Sequence, residues 1–281
     1  MNNLHIVTVA TDIKYYLPYL KESCNNNGKK IEILGYGEKW KGFNWKYKKM
    51  IEYLNKLPQN DIVCFVDGYD VICTRNLNKL KNEFLRLKQK YNCKIIIAHD
   101  KQISIMKLAS FYFSKCKNTE INSGTYIGYV KDLLYIISNV IKLNLKDNAD
   151  DQILMTQYCK MNLNDFYIDI DNEIFLTLLY PLHELDNLVK INNNIVEYNN
   201  NYPFFIHAPG YGYLDNIIIK LGYRYDYNNK IKDELYKNII KNKVLLYSKT
   251  LVYDNIFIIV LAIISIFIIF LYYFFIKNKY V

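Results

Sequence analysis

DIVCFVDGYD, residues 61–70, decides the fold. Its first six positions, Asp61–Val66, form an apolar run of strand length. The last four make a turn with two aspartates three apart, Asp67 and Asp70. A short apolar run bounded by turn residues reads as a strand buried on both faces, and such strands belong to α/β sheets covered by helices. In open sheets of that kind ligands bind beyond the carboxyl ends of the strands. The turn therefore lies where a binding site is expected.

The flanks repeat the pattern. Leu4–Thr11 (LHIVTVAT) reads as a first buried strand, Tyr15–Asn27 as a helix ended by Asn27–Gly28, and Lys30–Leu34 as a second strand. Gly35–Trp45, with three glycines and two tryptophans, reads as a loop. Lys46–Leu57 and Asn76–Lys90 are predicted helices, and Cys93–Ala98 is another buried strand. This alternation predicts a mostly parallel central sheet with helices on both faces. Farther on, Asn122–Val130 is a turn into a strand, Lys131–Leu143 and Asp150–Met161 are helices, and Phe166–Ile170 and Phe204–His207 are short strands. The Asn-rich stretch Asn192–Asn201 reads as a hairpin or surface loop.

The chain has 281 residues, and its last 30 or so differ sharply in composition from the rest, leaving one large α/β domain. The net charge of +9 is spread over dispersed lysines, without an Arg-rich run or zinc-finger spacing. No nucleic-acid partner is expected from that distribution. A basic surface near anionic lipid or a sugar diphosphate accounts for it as well. The six cysteines form no CxxC pair and read as reduced structural thiols rather than a disulfide framework. The N-terminal MNNLHIVTVATD is too short in its apolar part for a signal peptide.

Ile256–Ile276 (IFIIVLAIISIFIIFLYYFFI) has 21 residues without a charge. As a helix it rises roughly 30 Å, the thickness of a bilayer core. Tyr272 and Tyr273 near one end and Lys277 and Lys279 beyond fit an interface. With no N-terminal signal read, the expectation is a single-pass C-terminal tail anchor with the catalytic domain on the cytosolic side.

Four constellations carry chemistry. Asp67 and Asp70 can converge on one hard cation, which needs oxygen ligands and bridges to phosphate. The alternative is a pair of turn-forming or capping aspartates. His207, in Phe204–Gly210 (FFIHAPG), can supply a nitrogen ligand to that cation or be structural. Asp150-Asp151-Gln152 can aim a carboxylate at a sugar or an acceptor hydroxyl, or serve the start of a helix. Asn122-Ser123-Gly124 lets backbone approach a ligand closely, or is a plain turn. His5 and His183 have no partner motif, and His99 precedes Asp100 at a strand end that can line the cleft.

In order, these pieces resemble the N-terminal glycosyltransferase domain of the procollagen lysyl hydroxylases and, more distantly, the collagen galactosyltransferases. The residues that carry the resemblance are Val7–Thr11, Leu34–Gly42 (LGYGEKWKG), Phe65–Ile72 (FVDGYDVI), Asn122–Gly124 with Ile127-Gly128, Asp150–Gln152, Ile174-Phe175, and His207 with Gly210. They span about residues 4–225. The resemblance implies manganese on Asp67, Asp70 and His207. It implies a UDP moiety held by Trp40 and Tyr69, with Lys46 facing the nucleotide and Thr8, Asn122 and Gly210 nearby. It implies that Asp150 and Asp151 are needed for transfer. The sequence departs from the family after Trp40, where Phe43 and Asn44 stand in a shortened loop, and at Tyr213, where the family carries a lysine.

The expectation is thus an α/β GT-A glycosyltransferase domain over residues 1–235, a linker over 236–254, a transmembrane helix over 255–276 and a basic tail over 277–281. The implied reaction moves a hexose from a UDP-sugar, with Mn²⁺, to a hydroxyl on a glycoprotein or glycan, hydroxylysine or its galactosyl derivative in a collagen-like protein among them. A homodimer is among the expected partners. Two alternatives stand beside it: a non-catalytic, membrane-anchored module binding nucleotide-sugar or glycan, and a nucleotidyltransferase on a similar sheet.

Overall fold

The computed structural model describes residues 2–100, 115–178, 188–192, 194–209, 213–225, 248, 252 and 255–277. Eleven strands and seven α-helices frame these residues. The strands are β1 (Leu4–Val9), β2 (Ile31–Leu34), β3 (Ile62–Val66), β4 (Val71–Cys73), β5 (Ile95–His99), β6 (Ile121–Tyr129), β7 (Phe166–Asp169), β8 (Phe175–Thr177), β9 (Lys190–Asn192), β10 (Ile195–Glu197) and β11 (Phe205–His207). The helices are α1 (Leu17–Asn26), α2 (Phe43–Leu54), α3 (Leu80–Tyr91), α4 (Val130–Leu143), α5 (Asp151–Met161), α6 (Asp215–Lys220) and α7 (Ile256–Lys277).

The central sheet has the order β2-β1-β3-β6-β5-β7. The pairs β1/β2, β1/β3 and β5/β7 are parallel, as expected. β6 is the exception. It runs antiparallel to both β3 and β5, which places Gly124 beside the end of β3.

β3 is completely buried, and its side chains divide by the strand period of two. Val63 and Phe65 enter a core layer with Tyr47, Met50, Leu133 and Ile137 of α2 and α4. Ile62, Cys64 and Val66 enter the opposite layer with Leu17, Leu20 and Phe84 of α1 and α3. Burial on both faces is why the DIVCFV run shows no alternation. α4 buries Val130, Leu133, Ile136, Ile137, Val140 and Ile141, the three-and-four spacing of one helix face. α2 begins at Phe43, three residues before its predicted start, because Trp45 and Lys46 already face inward on its first turn.

A second sheet, β4-β11-β8, sits at the carboxyl end of β3. It packs with Leu214, just before α6, and with Ile217 and Ile218 of α6 in a third core cluster. The hairpin expected over Asn192–Asn201 forms in part, as antiparallel β9 and β10.

One expectation changes and one finds no support. Cys24, Cys64, Cys73 and Cys93 are free and buried as predicted, but Cys116 and Cys159 form a disulfide, because tertiary packing brings their Cα atoms to 6.0 Å. The transmembrane anchor is not supported: among the described residues no helix is long and apolar enough to cross a membrane.

Phe84 is fully buried, and its ring meets Tyr129 edge-on at 5.5 Å between centroids. Phe84→Ala is expected to cost about 3–5 kcal/mol in a denaturant titration. It should leave divalent-metal affinity unchanged, since it lies in the layer away from Lys46.

Candidate metal and nucleotide site

β3 ends at Val66, and the chain turns through Asp67–Asp70 straight into β4. The turn is held from below: the Asp67 N–H donates to the Gly124 carbonyl at 2.7 Å. Gly68 lies against β1, where an added Cβ would come within 2.9 Å of Thr8 Oγ1. β11 then pairs antiparallel with β4, placing His207 opposite Val71, and the Ala208 N–H donates to the Asp70 carbonyl at 2.9 Å. Sheet register thus delivers the imidazole to the turn.

Ligand atoms of Asp67, Asp70 and His207 all lie within 4.8 Å of one another. His207 Nε2 is 3.2 Å from Asp70 Oδ1 and 3.9 Å from Asp67 Oδ2. Apart from this contact with each other, His207 Nε2 and Asp70 Oδ1 have no polar partner at hydrogen-bond distance, and His207 Nδ1 is buried without a hydrogen bond. Buried polar atoms are ordinarily satisfied, so these atoms fit a cation. Burial alone would pull the His207 pKa down, but the Asp70, Asp67 and Asp100 carboxylates around it hold it above the ordinary value. A Cβ on Gly124 would stand 2.4 Å from His207 Cε1 and 2.5 Å from Asp67 Oδ2. Only a glycine leaves this cradle open.

Lys46, on α2, is buried with its Nζ 2.9 Å from Asp67 Oδ1 and 2.7 Å from Asp151 Oδ2. Burial would lower its pKa, but the two carboxylates raise it, so it carries a charge. It therefore links the cation turn to the start of α5. Asp150 caps α5, its Oδ1 accepting from the Ile153 N–H at 3.0 Å. Burial raises the Asp150 pKa. The capping alternative thus holds for Asp150, whereas Asp151 joins the charged network.

In front of the turn lies a cleft of about 360 Å³, lined in part by Thr11, Trp40, Phe43, Asp67, Tyr69 and Asp70. Trp40 is 40 % exposed and meets Phe43 and Trp45 edge-on. Tyr69 is anchored by its hydroxyl, which accepts from the Thr11 N–H at 3.0 Å and lies 3.2 Å from Asp12 Oδ1. Its ring packs edge-on against Tyr15. The strap between β1 and α1 is thereby tied to the cation turn.

Not every predicted residue reaches the cleft. Thr8 is fully buried behind Gly68, and Asn122 is buried, with its Oδ1 accepting from the Gly124 N–H at 2.9 Å. Both shape the wall. Gly210 and His183 lie outside the described residues. His5 is at the other end of β1, 2.9 Å from Asp61. Thr11, Lys14 and Phe43 line the cleft without having been singled out as ligand-facing. Asp100, one residue beyond β5, is buried with Oδ1 unbonded, and burial raises its pKa to about 6 against the pull of His207, Gln152 and Asn122. The signal that finds it is the one that finds Asp67, a carboxylate at a strand's carboxyl end.

Gly124→Ala is expected to weaken manganese binding at least tenfold by calorimetry while near-UV circular dichroism stays native, because the methyl fills the space of the ion's ligands. Lys46→Met leaves Asp67 and Asp151 without their cation. Its expected cost is about 3 kcal/mol in a urea titration, part of which added Mn²⁺ should restore.

The PLOD GT domain family matches residues 1–225. Among curated relatives, the Drosophila melanogaster procollagen-lysine,2-oxoglutarate 5-dioxygenase is 25% identical over 205 residues, covering 68% of this chain and 27% of the relative. The human multifunctional procollagen lysine hydroxylase and glycosyltransferase LH3 is 26% identical over 232 residues, covering 74% of this chain and 30% of the relative. The chain thus spans about a third or less of the length of these two relatives. A solved glycosyltransferase involved in glycosylation of the major capsid of PBCV-1 is 16% identical, with 74% of this chain and 93% of that one covered and a TM-score of 0.49. The match over residues 1–225 settles the family: this chain belongs to the PLOD GT domains, which are glycosyltransferases.

Proposed function

We propose that the chain is a GT-A glycosyltransferase that moves a hexose from a UDP-sugar to a hydroxyl acceptor with manganese as cofactor. The observation that carries this reading is the convergence of Asp67, Asp70 and His207 within 4.8 Å at the edge of the cleft. Two carboxylates and an imidazole suit a divalent ion that also binds phosphate oxygens. When bound, such an ion neutralises charge on a departing diphosphate.

The remaining roles belong to side chains. Trp40, exposed at the cleft, and Tyr69, held by its hydroxyl, offer aromatic surface to the uridine. Lys46 keeps Asp67 and Asp151 at fixed separation, so the ion's seat and the sugar side are set together. Asp151 faces the sugar or the acceptor, and Asp150 orients the helix that presents it. Thr8 and Asn122 act as walls, not contacts. The acceptor we favour is a hydroxylysine or its galactosyl derivative in a collagen-like protein. This rests on the similarity to procollagen lysine hydroxylases.

The domain bounds of 1–235, 236–254, 255–276 and 277–281 belong to the same reading, as does a membrane attachment. The attachment rests on the charge-free sequence of residues 256–276. Flotation of the full chain with liposomes tests it, and loss of flotation on deleting residues 255–281 is expected. A full chain left at the bottom of the gradient would reject it.

The direct test is a panel of UDP-sugars with Mn²⁺. Asp67→Asn is expected to abolish manganese-dependent hydrolysis and transfer and to remove UDP–Mn²⁺ binding by calorimetry, with the fold intact. Full activity in that variant overturns the site. Tyr213, where the family carries a lysine, motivates a second reading as a non-catalytic binding module. That reading wins if UDP–Mn²⁺ binds but no sugar is moved.

A further inference from the structure

Cys116 and Cys159 are bonded across 43 residues of sequence, and both are buried in the core layer that holds α4 and α5. Cys116 opens a tight turn: its N–H donates to the Thr119 carbonyl at 2.8 Å, and the Thr119 N–H returns to the Cys116 carbonyl at 3.0 Å. Within that turn Lys117 and Asn118 both have positive φ, 50° and 65°. A lysine disfavours that conformation, so the turn gains from an outside tie.

The turn runs directly into the wall of the cation cradle. The Asp100 N–H donates to the Glu120 carbonyl at 2.9 Å, Ile121 pairs with His99, and Asn122 to Gly124 follow. At the other end of the bond, Cys159 lies on α5. The first residue of that helix, Asp151, holds Lys46, and its Gln152 bonds Asp100. The crosslink therefore joins the turn that leads into β6, the strand that walls the cradle, to the helix that presents the acidic pair.

We propose that Cys116 and Cys159 are positioning residues of the transfer site, joined by a disulfide that the chain acquires in an oxidising compartment. The catalytic half of the proposal rests on the transferase reading above; the covalent half does not. Forming the bond removes two protons and two electrons from the thiols. The electrons go to an external disulfide, a protein or a small molecule, which is reduced to two thiols by exchange. Such bonds persist where the medium is oxidising. This domain then matures outside the cytosol, in place of the cytosolic side expected from the sequence.

The test uses the full chain produced in an oxidising secretory host, alkylated under denaturing, non-reducing conditions and mapped by mass spectrometry. A linked peptide pair containing Cys116 and Cys159 is expected, with Cys24, Cys64, Cys73 and Cys93 alkylated. Alkylation of both Cys116 and Cys159 overturns the bond. In a second arm, the Cys116→Ser/Cys159→Ser double variant is compared with the parent chain on its best UDP-sugar. The donor KM should stay within about twofold, while kcat falls about tenfold because the acidic pair is misplaced. Reduction of the parent chain should reproduce that split and reoxidation reverse it, which serves equally if the double variant does not fold. An unchanged kcat in both overturns the positioning role. A chain that transfers no sugar in either redox state sinks that role together with the enzymatic reading, whereas the mapping still decides the bond.

Discussion

The antiparallel pairing of β4 with β11 is the constraint from which the site follows. Through it His207, 137 residues after Asp70, stands opposite Val71, and the Ala208 N–H is fixed to the Asp70 carbonyl. Without that register the DGYD turn is only two aspartates on a surface turn. With it, two carboxylates and an imidazole share a space that no side chain on Gly124 could enter. Backbone hydrogen bonds set the positions of the strand ends that carry these three side chains, so the fold itself forms the cradle. Preorganisation of this kind removes the cost of gathering charged groups during binding.

Charge balance in the site depends on burying a cation among anions. Lys46 has almost no exposed surface and touches both Asp67 and Asp151. A lysine so buried would ordinarily lose its proton, and it keeps it because two carboxylates flank it. The same network surrounds His207 with three acids. The excess negative charge is what a divalent cation would relieve, and Lys46 carries that demand to the head of α5.

The cleft is built on rigid elements on one side and on a strap on the other. The strand-end turn, β6 and α2 are fixed by the two core layers. The strap after β1 and the Trp40 loop are held by side chains: Tyr69 bonds Thr11 and Asp12, and Trp40 leans on Phe43 and Trp45. A partly exposed aromatic at the rim and fixed polar groups at the floor match what a nucleotide presents, a flat base and a charged diphosphate.

Most of the sheet was legible in the sequence, because burial on both faces leaves strands as uninterrupted apolar runs, and DIVCFV, CKIIIA and LHIVTVAT each became one. The DGYD turn was legible as well, since a carboxylate pair at a strand end is a local pattern. Residue order could not reveal that β6 runs antiparallel, because pairing direction is set by where the chain returns and not by the strand's own residues. Nor could it reveal that Thr8 and Asn122 point into walls, that Lys46 bridges two acids, or that Cys116 meets Cys159. Those facts depend on which distant segments pack together, and only the tertiary structure fixes distances between residues far apart in the chain.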